Sequence, residues 1–88
     1  MADPDHLSKL RQGVDAWNAW RKTEDVIPDL REAHLSEANL SKANLSNAYL
    51  SRANLRRANL RGATFGGADL WGAGLARRFP ASVYLDRA

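Results

Sequence analysis

A five-residue repeat constrains this chain more than anything else in it. From residue 28 it reads PDLRE AHLSE ANLSK ANLSN AYLSR ANLRR ANLRG ATFGG ADLWG AGLAR, ten consecutive units that end at Arg77. The third residue of each unit is Leu30, Leu35, Leu40, Leu45, Leu50, Leu55, Leu60, Phe65, Leu70 or Leu75. The first is Pro28, then Ala33, Ala38, Ala43, Ala48, Ala53, Ala58, Ala63, Ala68 and Ala73. Leu and Ala are common residues everywhere, but chance does not hold them in one register over fifty positions.

Composition alone points the wrong way. Ala, Leu and Arg are strong helix formers. Yet five helical steps of about 100° overshoot a full turn by about 140°, so a Leu at every fifth residue winds around a helix without making a stripe. A flat strand fails as well, because five is odd and successive Leu would alternate between faces. Three extended residues followed by a bend, repeated, put every Leu on one side. Ala and Leu, two apart, then point inward and the residue between them points out. A chain that bends the same way every five residues coils on itself, and each coil can pair with the next. The expected fold class is therefore an all-β solenoid with Leu at its centre.

These units resemble the pentapeptide repeat family, whose motif is A(D/N)LXX. Asn39, Asn44, Asn54, Asn59 and Asp69 match its polar second position. The resemblance implies a right-handed quadrilateral β-helix with four repeats per coil, hence about two and a half coils here. At ~4.8 Å between coils the repeat region would be ~12 Å tall. Residues twenty apart would stack, setting Glu32 under Arg52, Glu37 under Arg57 and Leu45 under Phe65.

The residues ahead of the repeat are expected to form one α-helix. Asp3 is a good N-cap with Pro4 at the first helical position. Leu7, Leu10, Val14 and Trp17 follow helical spacing and Trp20 extends the stripe. Its expected job is to cap the open end of the repeats, where unpaired backbone invites edge pairing. The expected organisation is a capping helix and lead-in over 1–27, the repeat β-helix over 28–77, and a C-terminal cap or oligomerisation segment over 78–88. In that last segment Leu85 returns ten residues after Leu75.

Charge and motif content narrow the function. The chain carries a formal net charge of +3 and no Cys, which excludes disulfides, thiolate metal sites and a Cys nucleophile. No Walker, Rossmann or metal motif is present. His6 and His34 have no nucleophile or carboxylate at a motif spacing, and the recurrent Ser36, Ser41, Ser46 and Ser51 suit corners that want small polar residues. No enzyme, cofactor or metal is expected. No apolar run reaches the ~18–20 residues of a membrane span, and the start Met-Ala-Asp-Pro-Asp-His has no secretory signature, so a cytoplasmic location is expected.

The leading reading is a non-catalytic module that docks another protein or serves as a structural scaffold. The alternative is self-assembly, as a homodimer or filament, through the C-terminal end, with Trp71, Phe79, Val83, Tyr84 and Leu85 as the candidate interface. Well-understood members of the family mimic DNA and bind type II topoisomerases. That role is disfavoured here, because the repeats carry four acidic residues against seven basic ones where a mimic of DNA needs net negative charge. Arg52, Arg56, Arg57 and Arg61 form a candidate basic surface. Its nucleic-acid reading is set against a plain solvated face, and no aromatic residue is interleaved with it in the sequence.

Overall fold

In a computed structural model of the chain, residues 1–74 are described. Two helices precede the repeats: α1, Pro4–Arg11, and α2, Val14–Thr23. Asp3 caps α1, its carboxylate accepting from the N–H of Asp5 at 2.9 Å and of His6 at 3.4 Å. Lys9 and Arg11 end α1, and Arg21 and Lys22 end α2, where positive charge meets the negative end of the helix dipole. The single N-terminal helix expected from the apolar stripe is thus corrected to a pair. The break is at Gly13, which sits at φ 118°, ψ 160°, a conformation closed to residues with a side chain and incompatible with a helix interior.

The all-β expectation is also corrected. Among the described residues there is no β-strand and no sheet, and the regular elements are the two helices. The right-handed quadrilateral β-helix falls with it. The physical reason lies in the length of the unit. A strand needs a run of consecutive paired residues, whereas each repeat offers one. Asp29 bridges Tyr49, His34 bridges Asn54, Asn39 bridges Asn59, Asn44 bridges Thr64, Tyr49 bridges Asp69 and Asn54 bridges Gly74, every pair parallel and isolated. Turns on both sides of each bridge prevent a second pair from forming beside it.

The repeats instead form tiers of turns in which residues twenty apart lie over one another. In each repeat the N–H of the next unit's first residue returns to the third residue's carbonyl, as in Ala43 to Leu40 at 3.0 Å and Ala68 to Phe65 at 2.9 Å. Within these turns the fifth residue is left-handed every time, at φ between 60° and 72° from Glu32 through Gly72. The polar second residue has a purpose in the same turn. The side-chain oxygens of Asp29, Asn39, Asn44, Asn54, Asn59 and Asp69 accept the N–H two residues on, a local bond that starts the bend. The core is built from the first and third positions. Leu30, Leu45, Leu50, Leu55 and Phe65 are fully buried, Leu35, Leu40 and Leu60 nearly so, and Leu70 half-buried. Leu75 lies outside the described residues.

The fifth-position side chains cross the tier above. A Cβ placed on Gly67, at φ +72°, would collide with the Asn47 Oδ1, while one on Gly74 meets nothing closer than 3.5 Å. Gly67→Ala is therefore expected to cost ~1–3 kcal/mol, from the left-handed backbone and the displaced Asn47 side chain together. Gly74→Ala should change stability by less than ~0.5 kcal/mol. Urea unfolding of both variants checks this, and equal midpoints would refute it.

Candidate functional site

The helices meet the first tier through side chains that take the place of a missing tier beneath it. Within the stack, Thr64 N–H donates to the Ala43 carbonyl and Leu45 N–H to the Thr64 carbonyl, at 3.0 and 2.9 Å. Below Asn44 the equivalent groups are satisfied from α2. The Asn18 Oδ1 accepts Asn44 N–H at 2.8 Å, and the Asn44 carbonyl accepts the Trp17 indole N–H at 2.8 Å and Arg21 Nη1 at 2.9 Å. Arg21 Nη2 reaches the Ser46 carbonyl and Asn18 Nδ2 the Lys42 carbonyl, both at 2.9 Å. Burial pushes the Arg21 guanidinium below its ordinary pKa. Below Asp29 the work is done from α1. Asp29 N–H donates to His6 Nδ1 and its carbonyl accepts Asp3 N–H, both at 2.9 Å.

Leu10 and Trp17 are buried in the same core as the repeats, with Leu7, Val14 and Trp20 packed against it. The His6 and Trp17 rings each lie 5.1 Å from Trp20. Among the described residues no such helix bond reaches the backbone of His34 or Asn39. Those two faces open instead onto clefts of about 450 and 840 Å³.

At the corners Glu32 lies under Arg52 and Glu37 under Arg57, but among the described residues neither pair forms an ion pair. Glu32 binds the Met1 ammonium at 2.8 Å, which holds its carboxyl below the ordinary range. Asp29 is taken by Arg31 at 2.7 and 2.8 Å. Arg52 turns upward, its guanidinium 5.0 Å from the centre of the Trp71 ring. Trp71 is 67 % exposed. Arg56, Arg57 and Arg61 are exposed as well, and among the described residues none of the four makes an ion pair. Phe79, Val83, Tyr84 and Leu85, the rest of the candidate interface, lie outside the described residues.

The Asp29–Arg31 pair carries a pH signature. The hydrogen bond from Arg31 holds the Asp29 carboxyl below its usual range. A group depressed on folding contributes stability that is complete above its unfolded value, ~3.9, and disappears as pH falls through the folded one. The pair is partly exposed, so Asp29→Asn should cost ~0–1 kcal/mol near neutrality and nothing in strong acid. A cost that persists unchanged in strong acid would contradict the assignment.

The pattern of small first residue, polar second residue and buried third residue, with a left-handed fifth, is now both a sequence and a structural repeat. Residues 33–72 match the family described as Pentapeptide repeats, in eight copies. Residues 33–72 belong to the pentapeptide repeat family. Units 28–32 and 73–77 lie outside that match, although Pro28 and Leu30 are as buried as the units that follow. No curated protein and no solved structure matches the chain. Pentapeptide repeat proteins are generally non-enzymatic. Among the described residues no group of His, Asp or Glu is placed to hold a metal ion, and no helix is long and apolar enough to cross a membrane.

Proposed function

We propose that this pentapeptide repeat protein is a non-catalytic module that presents the faces of its repeat stack to another protein. The observation that carries this reading is the division of labour within the repeat. First and third residues fill an almost uniform core of Ala and Leu, while the outward second position departs from the turn-forming Asn or Asp at His34, Tyr49, Thr64 and Gly74. A constant interior beneath a varied exterior is what a display surface requires, and repeat architectures are widely suited to that use. Fold alone does not assign function, so the proposal rests on those outward residues.

The test is site-specific photo-crosslinking in the native host, with the reactive group placed singly at His34, Tyr49 and Asn59. Adducts to one discrete protein from one face are the expected result. Adducts only to a second copy of this chain would favour the self-assembly reading, and none at any position would refute docking through these faces.

A further inference from the structure

The basic corners and the exposed indole form one surface. Arg52, Arg56, Arg57 and Arg61 occupy three successive corners of the second tier. In sequence, Trp71 is nineteen residues from Arg52. In space it sits one tier above, on the same corner, with the Arg52 guanidinium over its ring at 5.0 Å. Arg56 joins them from the next corner. Between the two corners the outward column ends in Gly74, and a Cβ there would lie 3.5 Å from Arg56 Nε. The Arg56 side chain thus lies along the bare backbone of the face that leads toward Trp71.

From these placements we infer that the Arg52–Arg61 track with Trp71 binds single-stranded nucleic acid, the guanidiniums holding phosphates and the indole stacking a base. This does not depend on the protein-docking reading, although the track borders the His34–Asn54–Gly74 and Asn39–Asn59 columns that reading also uses. Three observations favour this occupant. First, the track keeps an excess of positive charge: its four guanidiniums face only Glu37, under Arg57, and Asp69, which accepts the Trp71 N–H, while Glu32, under Arg52, is engaged by the Met1 ammonium. Second, a large exposed aromatic ring beside unpaired guanidiniums is the combination that takes an unpaired base together with its phosphates. An acidic polypeptide would use the charges and leave the ring idle. Third, the track rounds the corner at Arg56 and Arg57. A duplex, stiff over ~150 base pairs, cannot follow it, whereas a single strand can.

The experiment is fluorescence anisotropy with a labelled oligothymidylate of ~15 nucleotides and its oligouridylate counterpart, a length near the usual site size, between ~50 and ~200 mM salt. Binding is expected to weaken with a logarithmic salt slope of about −2 to −3, as neutralising three or four phosphates of a single strand requires. Arg56→Ala/Arg57→Ala should weaken it about tenfold or more, and Trp71→Ala about fivefold to a hundredfold, while Trp71→Tyr keeps most of the affinity. All the altered residues are exposed, so far-UV circular dichroism and melting should be unchanged, which separates lost binding from lost folding. No anisotropy change at the lowest salt would overturn the inference. So would Trp71→Ala binding like the unaltered protein, a duplex of the same length binding as tightly, or displacement of the oligonucleotide by polyglutamate at equal charge.

Discussion

Replacing Trp17 by Ala should lower stability by ~3–5 kcal/mol, the usual cost of deleting a buried Trp side chain, and the melting temperature by roughly 20 °C in a domain of this size. Trp17 is fully buried. It joins α2 to the first tier both through its ring, packed against Trp20, and through its indole N–H on the Asn44 carbonyl. Trp17→Phe separates the two contributions. It keeps most of the apolar area, and the Asn44 carbonyl still accepts Arg21 at 2.9 Å, so the loss should be near ~1 kcal/mol. Beyond lost stability, Trp17→Ala should expose the lower edge of the first tier, and exposed backbone edges pair with other chains. Concentration-dependent light scattering would report that. A Trp17→Ala protein that melts within a few degrees of the parent and stays monodisperse would show that the helices are not part of the cooperative core.

The second large effect is expected at Leu50. It is fully buried, with Leu30 twenty residues before it, also fully buried, and Leu70 twenty after, half-buried. Leu50→Ala removes atoms with neighbours on both sides and leaves a cavity, for ~2–5 kcal/mol. Leu50→Met keeps the volume and should cost under ~1.5 kcal/mol. Leu70→Ala provides the internal comparison, since a half-buried side chain loses less on truncation. Urea midpoints order the three variants, and a Leu70→Ala loss equal to that of Leu50→Ala would mean that burial within the tiers does not set the stability.

The periodic interior was legible because Ala and Leu at first and third positions follow from how an extended triplet alternates its side chains. The class assigned to it was not. Periodicity reports which side a residue faces, not whether its neighbours pair as well, and a unit with one bridging residue between two turns never accumulates a strand. The helix break had a visible signal in Gly13, overridden by an apolar stripe that runs through it. The caps beneath Asn44 and Asp29 had none, since a side chain aimed at a distant carbonyl leaves no spacing to detect. The Arg52–Trp71 stack is separated along the chain by nearly a whole tier. The twenty-residue register sets Glu32 under Arg52 and Trp71 above it, but it does not tell that the guanidinium turns up to the ring rather than down to the carboxylate.

That register also makes the length of this protein a discrete quantity. Duplicating residues 48–67 would insert one complete storey: every column would keep its faces, and Asn44 would keep its partners in α2. Duplicating a single unit of five would leave each local turn intact yet carry everything after it around to the neighbouring wall, so that Trp71 would part from Arg52. Descendants of such a chain can grow or shrink smoothly in sequence but keep their surface patterns only in steps of twenty.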